Sequence, residues 1–209
     1  GADTVQFGEG HFHVPGTNHT MSMREAIEAH NDPDQLPDGL EPGCLNISSV
    51  FERGIISVPN GGHAAEVEVD PETGSVKVDG YWVVDDFGTI INPLLASGQV
   101  MGGVAQGIGQ ALMENIVYDE NGQLLSGSLM DYALPRADDI PNMAIEYYED
   151  APTAKNLLGV KGAGEAGCVG APPAVVNALC DALKDIGVHH VDMPLTPERV
   201  WRAIQSAKA

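Results

Sequence analysis

One amphipathic stretch rich in glycine limits the folds open to this chain more than any other feature. In "GQVMGGVAQGIGQALMEN", residues 98–115, apolar side chains recur every four residues, at Val100, Val104, Ile108 and Leu112. This spacing predicts a helix with one buried face. The same stretch holds five glycines, each costing up to about 1 kcal/mol relative to alanine inside a helix. We therefore expect another backbone, or a ligand, to approach this helix closely.

Three other stretches carry helix signals. In "SMREAIEAH", Ser22 and Glu25 have the spacing of a capping box. In "PPAVVNALCDALKDIG", residues 172–187, proline stands at the start and Gly187 at the end, and the apolar side comprises Val175, Val176, Leu179, Leu183 and Ile186. The last helix, "TPERVWRAIQSA", has Thr196 as N-cap before Pro197, and its predicted buried residues are Val200, Trp201 and Ile204.

Strands are predicted between the helices. "HAAEVEVDPETGSVKVDGYWVVDD", residues 63–86, alternates apolar and polar residues on both sides of "PETG", which predicts a β-hairpin. A second hairpin is expected around "DENG", residues 119–122, and "MAIEYYE", residues 143–149, reads as a further strand. The predicted fold class is therefore α+β, with a mixed or antiparallel sheet, hairpins and packed helices.

The stretch "NDPDQLPDGLEPG", residues 31–43, combines three prolines, two glycines and several acids. Such a composition is typical of an exposed connection without regular structure. We predict a boundary after it. Residues 1–43 form an N-terminal segment with a short helix and this acidic, proline-rich connection, and residues 44–209 form the second domain.

Charge and cysteine usage exclude several classes of protein. Ten basic against thirty acidic residues give a net charge of −20, which disfavours nucleic acid as a partner. We see no apolar run near the roughly 20 residues of a transmembrane segment, and the start at Gly1, without a signal-peptide pattern, suggests a fragment. The cysteines, at 44, 168 and 180, lack a CxxC spacing, which predicts reduced thiols and a cytoplasmic location.

The loop "GVKGAGEAGCVGAPP", residues 159–173, carries a single acid, Glu165, among glycines and alanines. Backbone N–H groups of such a loop, followed by a helix N-terminus, can hold an anion. It is not a phosphate loop, because Lys161 is followed by Gly162 rather than by Ser or Thr. Apolar surroundings would raise the pKa of Glu165 and suit it to proton transfer. A structural turn, with Glu165 capping the helix, is the alternative.

Four motifs together resemble one family: "GVKGAGEAG", "VDDFGTIINPLLASGQVMGGVAQGIGQAL", "SLMDYALPRA" and "DMPLTPERVW". They are similar to the C-terminal part of the molybdenum-binding large subunit of the xanthine oxidase family, and most resemble the aerobic carbon monoxide dehydrogenase large-chain group. The resemblance implies that residues 44–209 are the molybdenum-cofactor-binding domain and that Glu165 is the active-site base beside molybdenum. It also implies that Gln99 hydrogen-bonds the pterin and that a backbone stretch lines molybdopterin cytosine dinucleotide, namely Lys161, Gly162, Ala163 and Gly164.

The resemblance further implies an oxidoreductase that hydroxylates a small substrate or oxidises carbon monoxide, as part of a larger complex. Electrons would leave through Fe-S and FAD subunits, in a dimer of heterotrimers. Because the remainder of the large subunit supplies other cofactor contacts, we expect the isolated chain to lack cofactor and activity. The alternative is a structural or assembly module that binds no cofactor by itself.

Several other polar residues fit ordinary structural roles better. His63 is expected to be a hydrogen-bonded structural histidine, and His189 and His190 to be surface residues. Asp85 and Asp86 should diverge at a polar strand end, since consecutive strand residues face opposite sides. Cys168 can line the pocket or be an inert buried thiol, and Asn92 can contact the cofactor or form a turn before Pro93.

Overall fold

The computed structural model describes residues 2–43, 45–52 and 56–208. These residues form two compact units, Gly1–Glu52 and Arg53–Ala209. The boundary predicted after residue 43, and the assignment of residues 44–209 to a cofactor-binding domain, stay predictions. Cys44 lies outside the described residues.

The first unit contains a three-stranded antiparallel sheet followed by a short helix. Its strands are β1 (Gln6–Gly8), β2 (His11–His13) and β3 (Thr20–Ser22), and the helix is α1 (Met23–Ala29). The predicted capping box is confirmed: the Ser22 N–H donates to Glu25 at 2.7 Å, and the Glu25 N–H donates to the Ser22 hydroxyl at 3.2 Å. Residues 31–43 contain only turns and bends, as their composition predicted.

The second unit is built on a mixed sheet, as predicted. Strands β4 (Asn60–Val69) and β5 (Val76–Asp86) form the antiparallel hairpin around "PETG", and β6 (Met143–Tyr148) lies parallel to β5. The second predicted hairpin is smaller than expected. It is a tight turn closed by one antiparallel bridge between Tyr118 and Leu124, with the Asp119 N–H donating to the Gln123 carbonyl at 2.9 Å.

Three helices complete the second unit: α2 (Pro93–Leu112), α3 (Ala166–Leu183) and α4 (Pro197–Lys208). Two of them begin earlier than predicted. The Asn92 carboxamide accepts the Leu95 N–H at 3.1 Å and caps α2, so this helix starts at Pro93 rather than near Gly98. α3 starts at Ala166, and its two consecutive prolines lie within the helix rather than in its first turn.

The core lies where α2 and α3 pack on each other and on the hairpin. The predicted stripe of α2 is fully buried or nearly so: Val100, Val104, Ile108 and Leu112. In α4, Val200 and Ile204 are buried as predicted, whereas Trp201 is 41% exposed. Ile186 is also exposed rather than buried, because the chain turns into a 3₁₀ turn, Lys184–Ile186, beyond the end of α3.

Helix α3 and the 3₁₀ turn together form an apolar stretch of 21 residues, Ala166–Ile186. Among the described residues it is the single stretch that is long and apolar enough to cross a membrane, judged by length and composition alone. The expectation that no such run exists is therefore wrong on this criterion. The same composition is typical of a core helix, and Val175, Leu179 and Leu183 are buried within the unit.

Candidate functional site

The glycine-rich loop crosses the end of the β4–β5 hairpin before it enters α3. Two of its backbone groups are tied to neighbouring segments: the Lys161 N–H donates to the Phe87 carbonyl at 2.7 Å and the Gly162 N–H to the Ser57 carbonyl at 3.1 Å. The next two N–H groups, of Ala163 and Gly164, donate to no other group in the described part of the chain. They are therefore free to bind an acceptor on a ligand.

Glu165 occupies the N-cap position of α3, but its carboxylate does not cap the helix. Its main-chain carbonyl accepts the Val169 N–H at 3.0 Å and the Cys168 thiol at 3.3 Å. The alternative that Glu165 serves as a capping acid is therefore not what the structure contains. The side chain is exposed, so Glu165 is not buried among apolar groups of the described residues, although apolar residues line the pocket beside it.

A pocket of about 420 Å³ lies beside Glu165. Its walls are the loop, the first turns of α3, and the segment that leads into β4. The lining residues are Ile56, Ser57, Val58, Pro59, Asn60, Gly61, His63, Asp85, Gly162, Ala163, Gly164, Glu165, Ala166, Val169 and Gly170. Most of these groups are apolar. Of the three ionisable residues in the lining, Glu165 is exposed, whereas the side chains of His63 and Asp85 are only 8% and 3% exposed, so Glu165 is the ionisable group that a ligand would meet here.

Gln99 lies on the other side of the same loop. It belongs to the second turn of α2 and not to the start of the helix, which corrects the sequence-based placement. Its side-chain Nε2 donates to the Gly164 carbonyl at 3.1 Å, which leaves its Oε1 and a second N–H for a ligand. Gln99 lines a second pocket of about 360 Å³, and Ala163 and Gly164 line both pockets. The predicted residues therefore meet at one loop with a pocket on each side.

The side chain of Lys161 is already engaged within the protein. Its ammonium donates to Asp86 Oδ2 at 2.8 Å and to Asn60 Oδ1 at 3.1 Å, and both charged side chains are almost fully buried. Asp86 also accepts the Gly88 N–H at 2.8 Å. The bond from Lys161, with that from Gly88, holds the pKa of Asp86 below its usual range. Lys161 thus fixes the loop and offers no free charge to a ligand.

Asp85 and Asp86 do diverge, as strand geometry predicts, but both are buried rather than forming a polar strand end. Asp85 lies beside His63, with 3.4 Å between Asp85 Oδ1 and His63 Nε2. The other ring nitrogen of His63 is 2.8 Å from the Tyr81 hydroxyl. Burial raises the pKa of Tyr81. His63 is therefore a hydrogen-bonded histidine, as expected, although it also lines the pocket beside Glu165.

Sequence reasoning missed the partners that organise this site, above all Asp86 and Asn60. The signal that could have found them was the lysine inside an otherwise apolar loop, since a buried ammonium needs a carboxylate nearby. The other polar residues behave as expected: Asn92 caps α2, and His189 and His190 are exposed. Cys168 and Cys180 are unpaired thiols, and no group of three or more metal-ligating side chains occurs among the described residues.

Comparison with known proteins gives this arrangement a context. Residues 1–141 match the family model of the molybdopterin cofactor-binding domain. The nicotine 6-hydroxylase large subunit of Paenarthrobacter nicotinovorans is 43% identical over 178 residues, which is 85% of this chain and 22% of that protein. The carbon monoxide dehydrogenase large chain of Hydrogenophaga pseudoflava is 36% identical over 180 residues, 86% of this chain and 22% of that protein.

Among solved structures, quinoline 2-oxidoreductase from Pseudomonas putida 86 superposes with a TM-score of 0.85 and 36% sequence identity, over 98% of this chain and 26% of that one. The chain therefore belongs to the molybdopterin cofactor-binding domain family, and the family resemblance of its motifs is confirmed. It spans about a quarter of the length of these relatives. The family model ends at residue 141, before the loop that carries Glu165.

Proposed function

We propose that this chain forms part of the cofactor-binding wall of a molybdenum-dependent hydroxylase, with Glu165 as the active-site base. The observation that carries the proposal is the combination at one loop of free backbone donors, at Ala163 and Gly164, with an exposed carboxylate that is not used to cap α3. A purely structural turn has no need of this arrangement. The proposed cofactor is molybdopterin cytosine dinucleotide.

The residues of the loop fit such a group chemically. The Ala163 and Gly164 N–H groups can donate to acceptors of a pterin or a phosphate, and a Cβ built on Gly164 has no atom within 4 Å, so the backbone is open to close approach. Gln99 contributes its Oε1 as an acceptor and its second N–H as a donor. The Lys161 ammonium is bonded to Asp86, so Lys161 would contribute to the cofactor site through its main chain, which is the role that the resemblance implies.

When bound, the cofactor supplies oxygen transfer and two-electron redox chemistry. The overall reaction replaces a substrate C–H with C–OH, takes the oxygen from water, and releases two protons and two electrons. The electrons would leave through Fe-S and FAD subunits of the complex. Glu165 accepts a proton in this scheme, and its exposed carboxylate at the pocket rim can receive it without rearrangement of the loop.

The names of the relatives guide the choice of substrate. Two of the three compared proteins are named for nitrogen heterocycles, nicotine and quinoline, and one for carbon monoxide. Hydroxylation of a nitrogen heterocycle is therefore the first activity to assay, with carbon monoxide oxidation beside it. We place the complex, a dimer of heterotrimers, in the cytoplasm.

The test is the composition of the complete large subunit purified with its partner subunits. We expect about one molybdenum per large subunit and an equal amount of cytidine monophosphate released by mild hydrolysis. The isolated 209-residue chain should carry neither, because the pockets on the two sides of the loop are open and the chain spans only about a quarter of the length of the related large subunits. A complete complex without molybdenum would instead support a structural or assembly module.

A further inference from the structure

Strand β5 ends in two consecutive acids that reach the segments before and after Glu165. We propose that Asp86 and Asp85 are positioning residues for Glu165: Asp86 holds the loop that precedes it, and Asp85 holds the helical turn that follows it. This inference rests on the proposed function of Glu165 as the base. Neither acid contacts the cofactor or the substrate in this account, because each acts through another side chain.

Asp86 acts through Lys161. The pair is nearly buried, with 11% of the Lys161 side chain and 10% of the Asp86 side chain exposed, and the ammonium lies 2.8 Å from Asp86 Oδ2. Asn60 accepts a second bond from the same ammonium at 3.1 Å. A buried ion pair that is also hydrogen-bonded fixes geometry, and removal of one partner leaves an uncompensated charge. Lys161 is only four residues from Glu165, so the pair sets where the loop leaves the hairpin.

Asp85 acts through His63. The imidazole is held between Asp85 and the Tyr81 hydroxyl, and it lies directly against α3. A Cβ built on Gly170 would come within 2.6 Å of the ring. The first turns of α3 therefore rest on His63, and any shift of the ring moves the helix end that carries Glu165. On this view the buried Asp85 carboxylate determines the position of the ring.

The same strand supplies a matched control. Lys77 and Asp79 also form a lysine–aspartate pair on β5, but their side chains are 69% and 36% exposed. Exposed pairs contribute little to structure. The two pairs therefore differ mainly in burial and in whether they connect β5 to the glycine-rich loop. The substitution Asp79→Asn controls for the loss of one aspartate charge.

The experiment uses the complete large subunit in its complex, with hydrogen–deuterium exchange and steady-state kinetics corrected for molybdenum content. The reporters are the Lys161 and Gly162 amides, which are protected by bonds to Phe87 and Ser57. We expect Asp86→Asn to speed their exchange at least tenfold and to lower kcat about tenfold at unchanged KM. Asp86→Glu, which keeps the carboxylate, should recover most of both effects, and Asp79→Asn should change neither.

Asp85→Asn should speed exchange of the Val169 amide, which is bonded to the Glu165 carbonyl, and leave the Lys161 amide protected. If Asp86→Asn does not fold, the double variant Lys161→Met with Asp86→Asn removes both charges and avoids an unpaired buried one. The amides at positions 161 and 162 should exchange faster in this variant too. Unchanged exchange of the Lys161 and Gly162 amides would overturn the positioning role. The proposed function fails separately, if Glu165→Gln retains turnover while the exchange results stand.

Discussion

Helix α2 presents glycines to two very different surroundings. A Cβ built on Gly103 would lie 3.0 Å from the Gly167 Cα, and one built on Gly107 would lie 2.6 Å from the Ala171 side chain. Elsewhere on the helix surface, a Cβ on Gly98 or Gly102 would meet no atom within 4 Å. The first pair is explained by the close packing of α2 against α3, and the second pair is not.

The sequence alone does not distinguish these two kinds of glycine. Glycines in a helix imply close approach, by a backbone or by a ligand. At Gly103 the backbone of α3 approaches, and at Gly107 the side chains of Ala171 and Pro172 on α3 do, so neither glycine needs a cofactor to explain it. At Gly98 and Gly102 no described residue makes this approach, which leaves room there for the proposed cofactor or for another part of the large subunit.

The largest effect should come from the packed side, at Gly167 of α3. A Cβ there would lie 2.5 Å from the Val100 carbonyl oxygen and 2.6 Å from the Val104 nitrogen, and backbone atoms cannot move aside cheaply. We expect Gly167→Ala to lower the free energy of unfolding by about 3 kcal/mol, the upper end of ordinary overpacking costs. Urea unfolding of the isolated chain measures it. A loss below about 1 kcal/mol would show that the helices can separate without penalty.

Gln99 should give a smaller effect that appears mainly in cofactor retention. Gln99→Ala removes the bond to the Gly164 carbonyl and would leave a buried pterin group unpaired, at a cost of about 1–3 kcal/mol. The complete complex should then release molybdenum faster during dialysis, while the exposed side chain contributes little to folding. Gln99→Glu is the matched variant, because it keeps the size and an acceptor but loses the amide donors. Equal molybdenum retention in wild type and Gln99→Ala would remove Gln99 from the cofactor site.

The smallest effect is predicted on the open side. Since nothing contacts a Cβ at Gly98, Gly98→Ala should stabilise the isolated chain by up to about 1 kcal/mol through helix propensity. In the complete large subunit the same substitution should give no stabilisation, or should destabilise the protein, if another group approaches the helix there. Thermal unfolding of the two forms gives the comparison. Destabilisation of the isolated chain would mean that the open side of α2 is packed after all.

The local elements of the fold were predictable because their signals are local. The capping box at Ser22, the hairpin around "PETG" and the apolar stripe of α2 all depend on residues close in sequence, and all three are confirmed. The first residues of α2 and α3 were not predicted correctly, because the Asn92 cap and the first turn of α3 lie outside the apolar periodicity. The sheet of the first unit was also missed, since strands of three residues carry too few alternations to be recognised.

The sequence indicated which loop forms the candidate site, but it did not indicate which side chains contact one another there. The motif around Glu165 marked a loop that the structure places beside two pockets, whereas the ion pair between Lys161 and Asp86 joins residues 75 positions apart. No local pattern encodes such a contact. The resemblance assigned Lys161 to the cofactor stretch by position in a motif, and only the folded chain reveals that its ammonium is used internally.

Glu165 is proposed to transfer a proton and not to support the fold. The direct measurement is turnover of the complete complex with Glu165→Gln, at a molybdenum content matched to the wild type. Because the carboxylate caps no helix and is exposed, melting temperature and molybdenum content should be nearly unchanged, while turnover falls at least 100-fold. Near-normal turnover at equal molybdenum content would show that Glu165 is not the base.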